Sequence, residues 1–170
     1  MGRYKKIKKN IFIRISLIKN IGLGHLLRNL RIVEHLDTKY KINFVVDKFN
    51  KELNKNSNIN KYNFISLYKN NERFKSEKSD SYKFCKILNK SNKSIVIVDD
   101  YRLSSKWHKN VIKNTKKLVV IDDLMNKKFF SDIYINYSTN NNLLDKAKQL
   151  NKKKTKYLLG TKFCVLGKNL

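Results

Sequence analysis

What most limits the fold of this chain is the recurrence of short, β-branched apolar runs, each too short for a buried helix and most of them closed by a polar residue. The clearest is Ser94 to Val98, unbroken, and ending on Asp99, Asp100 and Tyr101. Such a run reads as a central strand buried on both faces. The pattern returns in Ile11 to Ile15, in Ile42 to Val46 before Asp47, and in Phe64 to Tyr68. It returns again in Leu118 to Ile121 before Asp122 and Asp123, in Asp132 to Tyr137 closing at Asn136, and in Tyr157 to Leu159 before Gly160. Between these runs lie stretches of helical spacing. They comprise Leu26, Leu27, Leu30, Val33 and Leu36, a polar segment around Phe49 to Leu53, and Ser81 to Leu88 with Phe84, Cys85 and Leu88 on one side. A further segment capped by Ser104 or Ser105 presents Trp107, Val111 and Ile112, and Leu143 to Leu150 forms the last. Asn54 to Lys61 reads as a loop, and Asn70 to Asp80 as a charged, poorly ordered connection. Strands alternating with helices imply an α/β chain with a doubly wound, mostly parallel sheet covered on both sides.

In such sheets ligands bind beyond the carboxyl ends of the strands. Of only 13 acidic residues, Asp47, Asp99, Asp100, Asp122 and Asp123 fall at expected strand ends. One such Asp can simply start a turn or cap a helix; several together mark that edge as the place for a site. The link from the first strand to the first helix carries two of the five glycines, Gly22 and Gly24, followed by His25. Glycines there would let the backbone take conformations closed to other residues and leave the first amides of the helix facing a cleft, where an anion could sit. The motif is not the full dinucleotide fingerprint, because a third glycine is missing and Arg28 stands where the helix begins to pack. A His at a helix amino end is held neutral by the helix dipole and can accept a proton, so His25 is a candidate general base, with capping or packing as the alternative. His35 and His108, on helices among lysines, read as solvated.

Composition narrows the function. A chain of 170 residues with 41% hydrophobic content suits one domain, with or without an appendage. The formal charge of +26 invites a nucleic-acid reading, yet only six of the 39 basic residues are Arg and the lysines are spread along the whole chain. With abundant Asn and Ile and no Pro, that pattern fits drift of an A/T-rich coding sequence better than selection for phosphate contacts. Cys85 and Cys164 lie far apart among apolar neighbours, which reads as reduced core cysteines of a cytoplasmic protein. The basic start, Met1 to Asn10, is an extension without signal-peptide character, since Arg14 breaks the apolar run after it. No run is long enough to span a membrane, and no metal-ligand spacing or cofactor motif is present.

Taken together, several blocks resemble one family. They are Gly22-Leu23-Gly24-His25-Leu26-Leu27-Arg28, then Ile97-Val98-Asp99-Asp100-Tyr101-Arg102-Leu103 with Trp107, then Ile121-Asp122-Asp123-Leu124, then Asp132-Ile133-Tyr134-Ile135-Asn136, and finally Leu158 to Leu166. In order and spacing they resemble the amino-terminal domain of the UDP-2,4-diacetamido-2,4,6-trideoxy-β-L-altropyranose hydrolases of pseudaminic acid biosynthesis. These are two-domain proteins of the GT-B glycosyltransferase architecture, whose amino-terminal half is Rossmann-like. The resemblance implies residues 11–170 as that domain, metal-free hydrolysis of a UDP-sugar at its anomeric carbon, and release of UDP and the free hexose. By position, His25 would activate the attacking water and Tyr101 would lie beside the sugar. Gly22, Gly24, Arg28, Asp99, Asp123 and Asn136 would form or support the substrate pocket. The chain departs from the pattern at Ser16, where an acid is usual two residues after Arg14, and at Gly167, where an arginine is common. The resemblance also places the chain's end where a nucleotide-binding domain would begin, so a separate carboxy-terminal domain or chain is the expected partner and the lone chain is expected to turn over weakly. Two alternatives stay open, an acceptor domain of a UDP-sugar glycosyltransferase and a non-catalytic subunit that docks a partner.

Overall fold

Branched side chains such as Ile and Val suit a pleated surface, and a run of them is buried on both faces only when helices cover both sides of the sheet. The computed structural model describes residues 9–17, 22–36, 38–49, 57–89, 94–139, 142–151 and 153–165. Among them are strands β1 (Lys9–Ile15), β2 (Tyr40–Val46), β3 (Asn63–Ser66), β4 (Ile95–Asp99), β5 (Lys117–Ile121), β6 (Ile133–Asn136) and β7 (Lys156–Leu159). They form one 7-stranded sheet in the order β3-β2-β1-β4-β5-β6-β7. Every neighbouring pair is parallel, so the sheet is parallel throughout rather than mostly so. The helices are α1 (Gly22–Glu34), α2 (Ser57–Asn60), α3 (Glu77–Leu88), α4 (Ser105–Val111) and α5 (Leu143–Leu150). This is a doubly wound, Rossmann-like α/β fold.

Successive strand residues face opposite sides, and that parity divides the core in two. Ile11, Ile13 and Ile15 of β1, Phe44 and Val46 of β2, Ile97 and Ile121 pack against Leu26, Leu30 and Val33 of α1 and Ile59 of α2. On the other face Phe12, Val45, Val96, Val98, Leu118 and Val120 meet Phe84 and Leu88 of α3, Trp107 and Val111 of α4, and Ala147 of α5.

Several local expectations give way. The helix assigned to Ser81–Leu88 begins earlier, at Glu77, because the Ser76 side chain accepts from the backbone N–H of Ser79 and caps it. Asp80, assigned to a poorly ordered connection, is instead a fully buried residue of that helix. Within the expected loop Asn54–Lys61, the single turn α2 forms because Ile59 is drawn into the core at 4% exposure. The helical stretch placed around Phe49 to Leu53 lies largely outside the described residues, as does Gly167. β1 takes in Lys9 and Asn10, the last residues of the expected basic extension. Cys85 is half-buried and Cys164 exposed, so the second is no core residue; both are free thiols. No described helix is long and apolar enough to cross a membrane.

Candidate functional site

The same parity that builds the core sorts the strand-end acids. Asp99 follows Ile97 onto the α1 face, whereas Asp100 falls on the face of α3 and α4. At the end of β5 the order reverses, and Asp123 follows Ile121 onto the α1 face. Two acids from neighbouring strands therefore converge beneath the first turns of α1, where His25 and Arg28 stand one helical turn apart.

His25 is 5% exposed, and its Nδ1 lies 2.6 Å from Oδ1 of Asp99. The guanidinium of Arg28 also comes within 3.3 Å of that nitrogen. A carboxylate can only accept and a guanidinium can only donate, so the Nδ1 proton goes to Asp99 and the arginine contact is an approach rather than a bond. That tautomer leaves the lone pair on Nε2, which has no hydrogen-bond partner among the described residues. The carboxylate of Asp99 is itself held from three sides. Arg28 donates through Nε to Oδ2 at 2.9 Å and through Nη2 to Oδ1, and Asn29 Nδ2 donates to Oδ2 at 2.7 Å. A buried carboxylate is stable only when paired and hydrogen-bonded in this way.

Arg28 also reaches Asp123 Oδ2 through Nη1 and sits 5.7 Å from the centroid of the Tyr137 ring. Burial works against its charge, but the bonds and fields of Asp99 and Asp123 outweigh burial and raise its pKa above the ordinary value. Tyr101 packs edge-on against His25, with ring centroids 4.5 Å apart, and its hydroxyl donates to Asp123 Oδ2 at 3.2 Å. Burial, reinforced by the negative charge of Asp123, pushes the Tyr101 phenol upward, so it stays a donor. Tyr137 is pushed up to about 12, again mainly by burial.

Of the residues expected from sequence, His25, Arg28, Asp99, Tyr101 and Asp123 are thus brought into one cluster. Asp99, expected to bind substrate, is 0% exposed with both oxygens taken, and it orients His25 instead. Asn136 is not part of the cluster: it is fully buried, donates to the backbone carbonyl of Asp122 at 2.6 Å and accepts from Ser138 N at 2.8 Å, tying the ends of β5 and β6 together. Gly22 and Gly24 lie inside α1 rather than in the turn before it. Gly24 needs no special backbone conformation, and a Cβ there would meet nothing within 4 Å among the described residues. Arg28, expected to form or support the pocket, ties α1 to the ends of β4 and β5.

Sequence reasoning missed Asn29 and Tyr137. Asn29 lies four residues after His25, so one helix face carries both, and Tyr137 directly follows the β6 end. Among the described residues, Asn29 Oδ1, Asp123 Oδ1 and the Tyr137 hydroxyl are buried without a hydrogen-bond partner. Such orphaned groups are costly unless something else satisfies them. No set of three or more His, Cys, Asp or Glu side chains among the described residues is arranged to ligate a metal ion. No protein-family model matches the chain, and no curated protein matches it either.

Proposed function

We propose that this chain is the catalytic amino-terminal domain of a UDP-sugar hydrolase, acting on a UDP-linked 2,4-diacetamido-2,4,6-trideoxyhexose in nonulosonate biosynthesis. The observation that carries the reading is the His25–Asp99 pair at the carboxyl edge of the sheet, where the first turns of α1 meet the ends of β4 and β5. In this reading Nε2 of His25 removes a proton from water as the water oxygen attacks the anomeric carbon. The bond from that carbon to the phosphate oxygen breaks, and UDP leaves with the electron pair. Base assistance of this kind is worth roughly 10²–10⁴-fold. Asp99 keeps the imidazole in the accepting tautomer and stabilises the imidazolium once it forms. Tyr101 and Arg28 fix the ring and its carboxylate, and Asp123 Oδ1 with the Tyr137 hydroxyl offers hydrogen-bond partners for sugar hydroxyl or acetamido groups. The diphosphate falls to a partner domain or chain.

The test follows UDP release from the UDP-linked trideoxy sugar, with the chain alone and with a carboxy-terminal domain of the family supplied separately. Release in the mixture that drops at least a hundredfold in His25→Ala supports the reading, and free reducing sugar as the product separates hydrolysis from glycosyl transfer. Release that is indifferent to His25→Ala, or none under either condition, overturns it.

A further inference from the structure

A second cluster of charges lies on the opposite face of the sheet from His25, beyond the ends of β1 and β2. Arg14, 0% exposed, donates to Asp80 through Nε and Nη2, to Asp47 through Nη2 at 2.7 Å, and to the carbonyl of Ile15 at 2.6 Å. Arg102 joins through Nη2, which bonds both oxygens of Asp47 and Oδ2 of Asp100, and through Nε to Asp100 Oδ1. Asp80 further accepts from Tyr68 and from the indole of Trp107, each at 2.7 Å, and Asp47 from Ser16 at 2.9 Å. Every carboxylate oxygen of this network is therefore occupied by donors.

Above it opens a cleft of about 470 Å³. That is within the size range of small-molecule sites. The acids on its walls are spent: Asp47 as described, and Glu72 on the Lys83 ammonium and the backbone N–H of Lys69. What remains is donors and a ring. Arg102 Nη1 and the Arg73 guanidinium have no hydrogen-bond partner among the described residues. The guanidinium carbon of Arg102 lies over the Phe74 ring, 4.5 Å from its centroid, so the cation is stacked on one face of the ring and backed by it. Guanidinium groups suit carboxylate and phosphate geometry, and a guanidinium plane also stacks on a planar ring.

We infer that this cleft is a second ligand site, for a small molecule that joins an anionic group to a flat ring, with the anion on Arg73 and Arg102 and the ring stacked on the Arg102 guanidinium that Phe74 backs. The site uses none of the His25 cluster and does not rest on the hydrolase reading. Because the chain carries a formal charge of +26, loose anion binding is the competing outcome, and the experiment is built to separate the two. Phenyl phosphate, inorganic phosphate and benzamidine are titrated into the ¹⁵N-labelled full chain in 0.15 M NaCl and followed by two-dimensional NMR. The expected result is saturable shifts confined to residues around Arg73, Phe74 and Arg102 with phenyl phosphate, at least tenfold weaker binding of inorganic phosphate, and no such shifts with benzamidine. Arg73→Ala, an exposed change that leaves the fold intact, should weaken phenyl phosphate at least fivefold, and Phe74→Leu should erase its advantage over inorganic phosphate. Equal affinity for the two phosphates, shifts scattered over surface lysines, or indifference to Arg73→Ala would overturn the inference.

Discussion

His108 shows how a single buried proton shapes stability. The backbone N–H of Phe130 donates to its Nδ1, which places the ring proton on Nε2, buried and without a partner among the described residues. Expected to be solvated, the ring is 2% exposed, because α4 turns it under the segment leading to Phe130. Burial lowers its pKa to about 3. The unfolded chain takes up this proton near 6.5, so between roughly pH 6.5 and 3 it binds more protons than the folded state, and stability falls as pH falls. The slope is about 1.4 kcal/mol per pH unit and vanishes above that window. Denaturant unfolding at pH 7 and pH 5 should therefore show a smaller acid loss for His108→Gln than for the parent chain. An equal loss would mean that the ring is reached by solvent. Gly24 separates stability from binding at the same scale. Ala there should raise stability by up to about 1 kcal/mol, since glycine is the weaker helix former. If the helix amino end receives the sugar, the same change should weaken UDP-sugar binding; higher melting temperature with unchanged binding would move the ligand elsewhere.

Among elements, the four residues that leave β4 bear on both charge clusters. Asp99 holds His25, Asp100 holds Arg102, Tyr101 reaches Asp123, and Arg102 reaches back to Asp47. The first turn of α3 is anchored as firmly, through Asp80. Asp80→Ala would take from the buried Arg14 its one fully buried hydrogen-bonded carboxylate, leaving Nε unpaired, and would free the Trp107 and Tyr68 donors; it is expected to cost about 3 kcal/mol, whereas Ser76→Ala should cost only about 1 kcal/mol. Urea unfolding of the two variants checks that order, and a cost for Asp80→Ala no larger than for the cap would show that Arg14 finds water when its partner is removed. These contrasts also explain what could be read in advance. The strands were legible, since unbroken runs such as Ile95–Val98 have no other stable use, and so was the cluster of acids at their ends. The role of Asp80 was hidden because its partner, Arg14, lies 66 residues away and nothing local distinguishes a buried carboxylate from a loop one. Asp99 was placed in the right neighbourhood, but its bonds to His25, Arg28 and Asn29 could not be read from its position alone. Counting alternate residues from Ile97 and Ile121 would have put Asp99 and Asp123 on the α1 face, and an (i, i+4) step from His25 would have added Asn29.

For the whole molecule, charge and topology act together. Most described ion pairs lie at the carboxyl edge, in the two clusters, while the lysines elsewhere mainly repel one another. Raising NaCl from about 20 to 300 mM should therefore raise the melting temperature, since screening weakens surface repulsion more than buried pairs. A fall would mean that surface pairs contribute more than the repulsion does. The strand order carries a different consequence, for the growing chain. β1 is made before both of its neighbours and lies inside the sheet, with Ile11 against Ile42 on one side and Ile95 on the other. During synthesis its second edge stays unpaired until β4 emerges, a wait of roughly several seconds at ~5–20 residues per second. For that interval β1 is an exposed template for strands of other nascent chains. The lysine excess, costly to the finished fold, then keeps such chains apart.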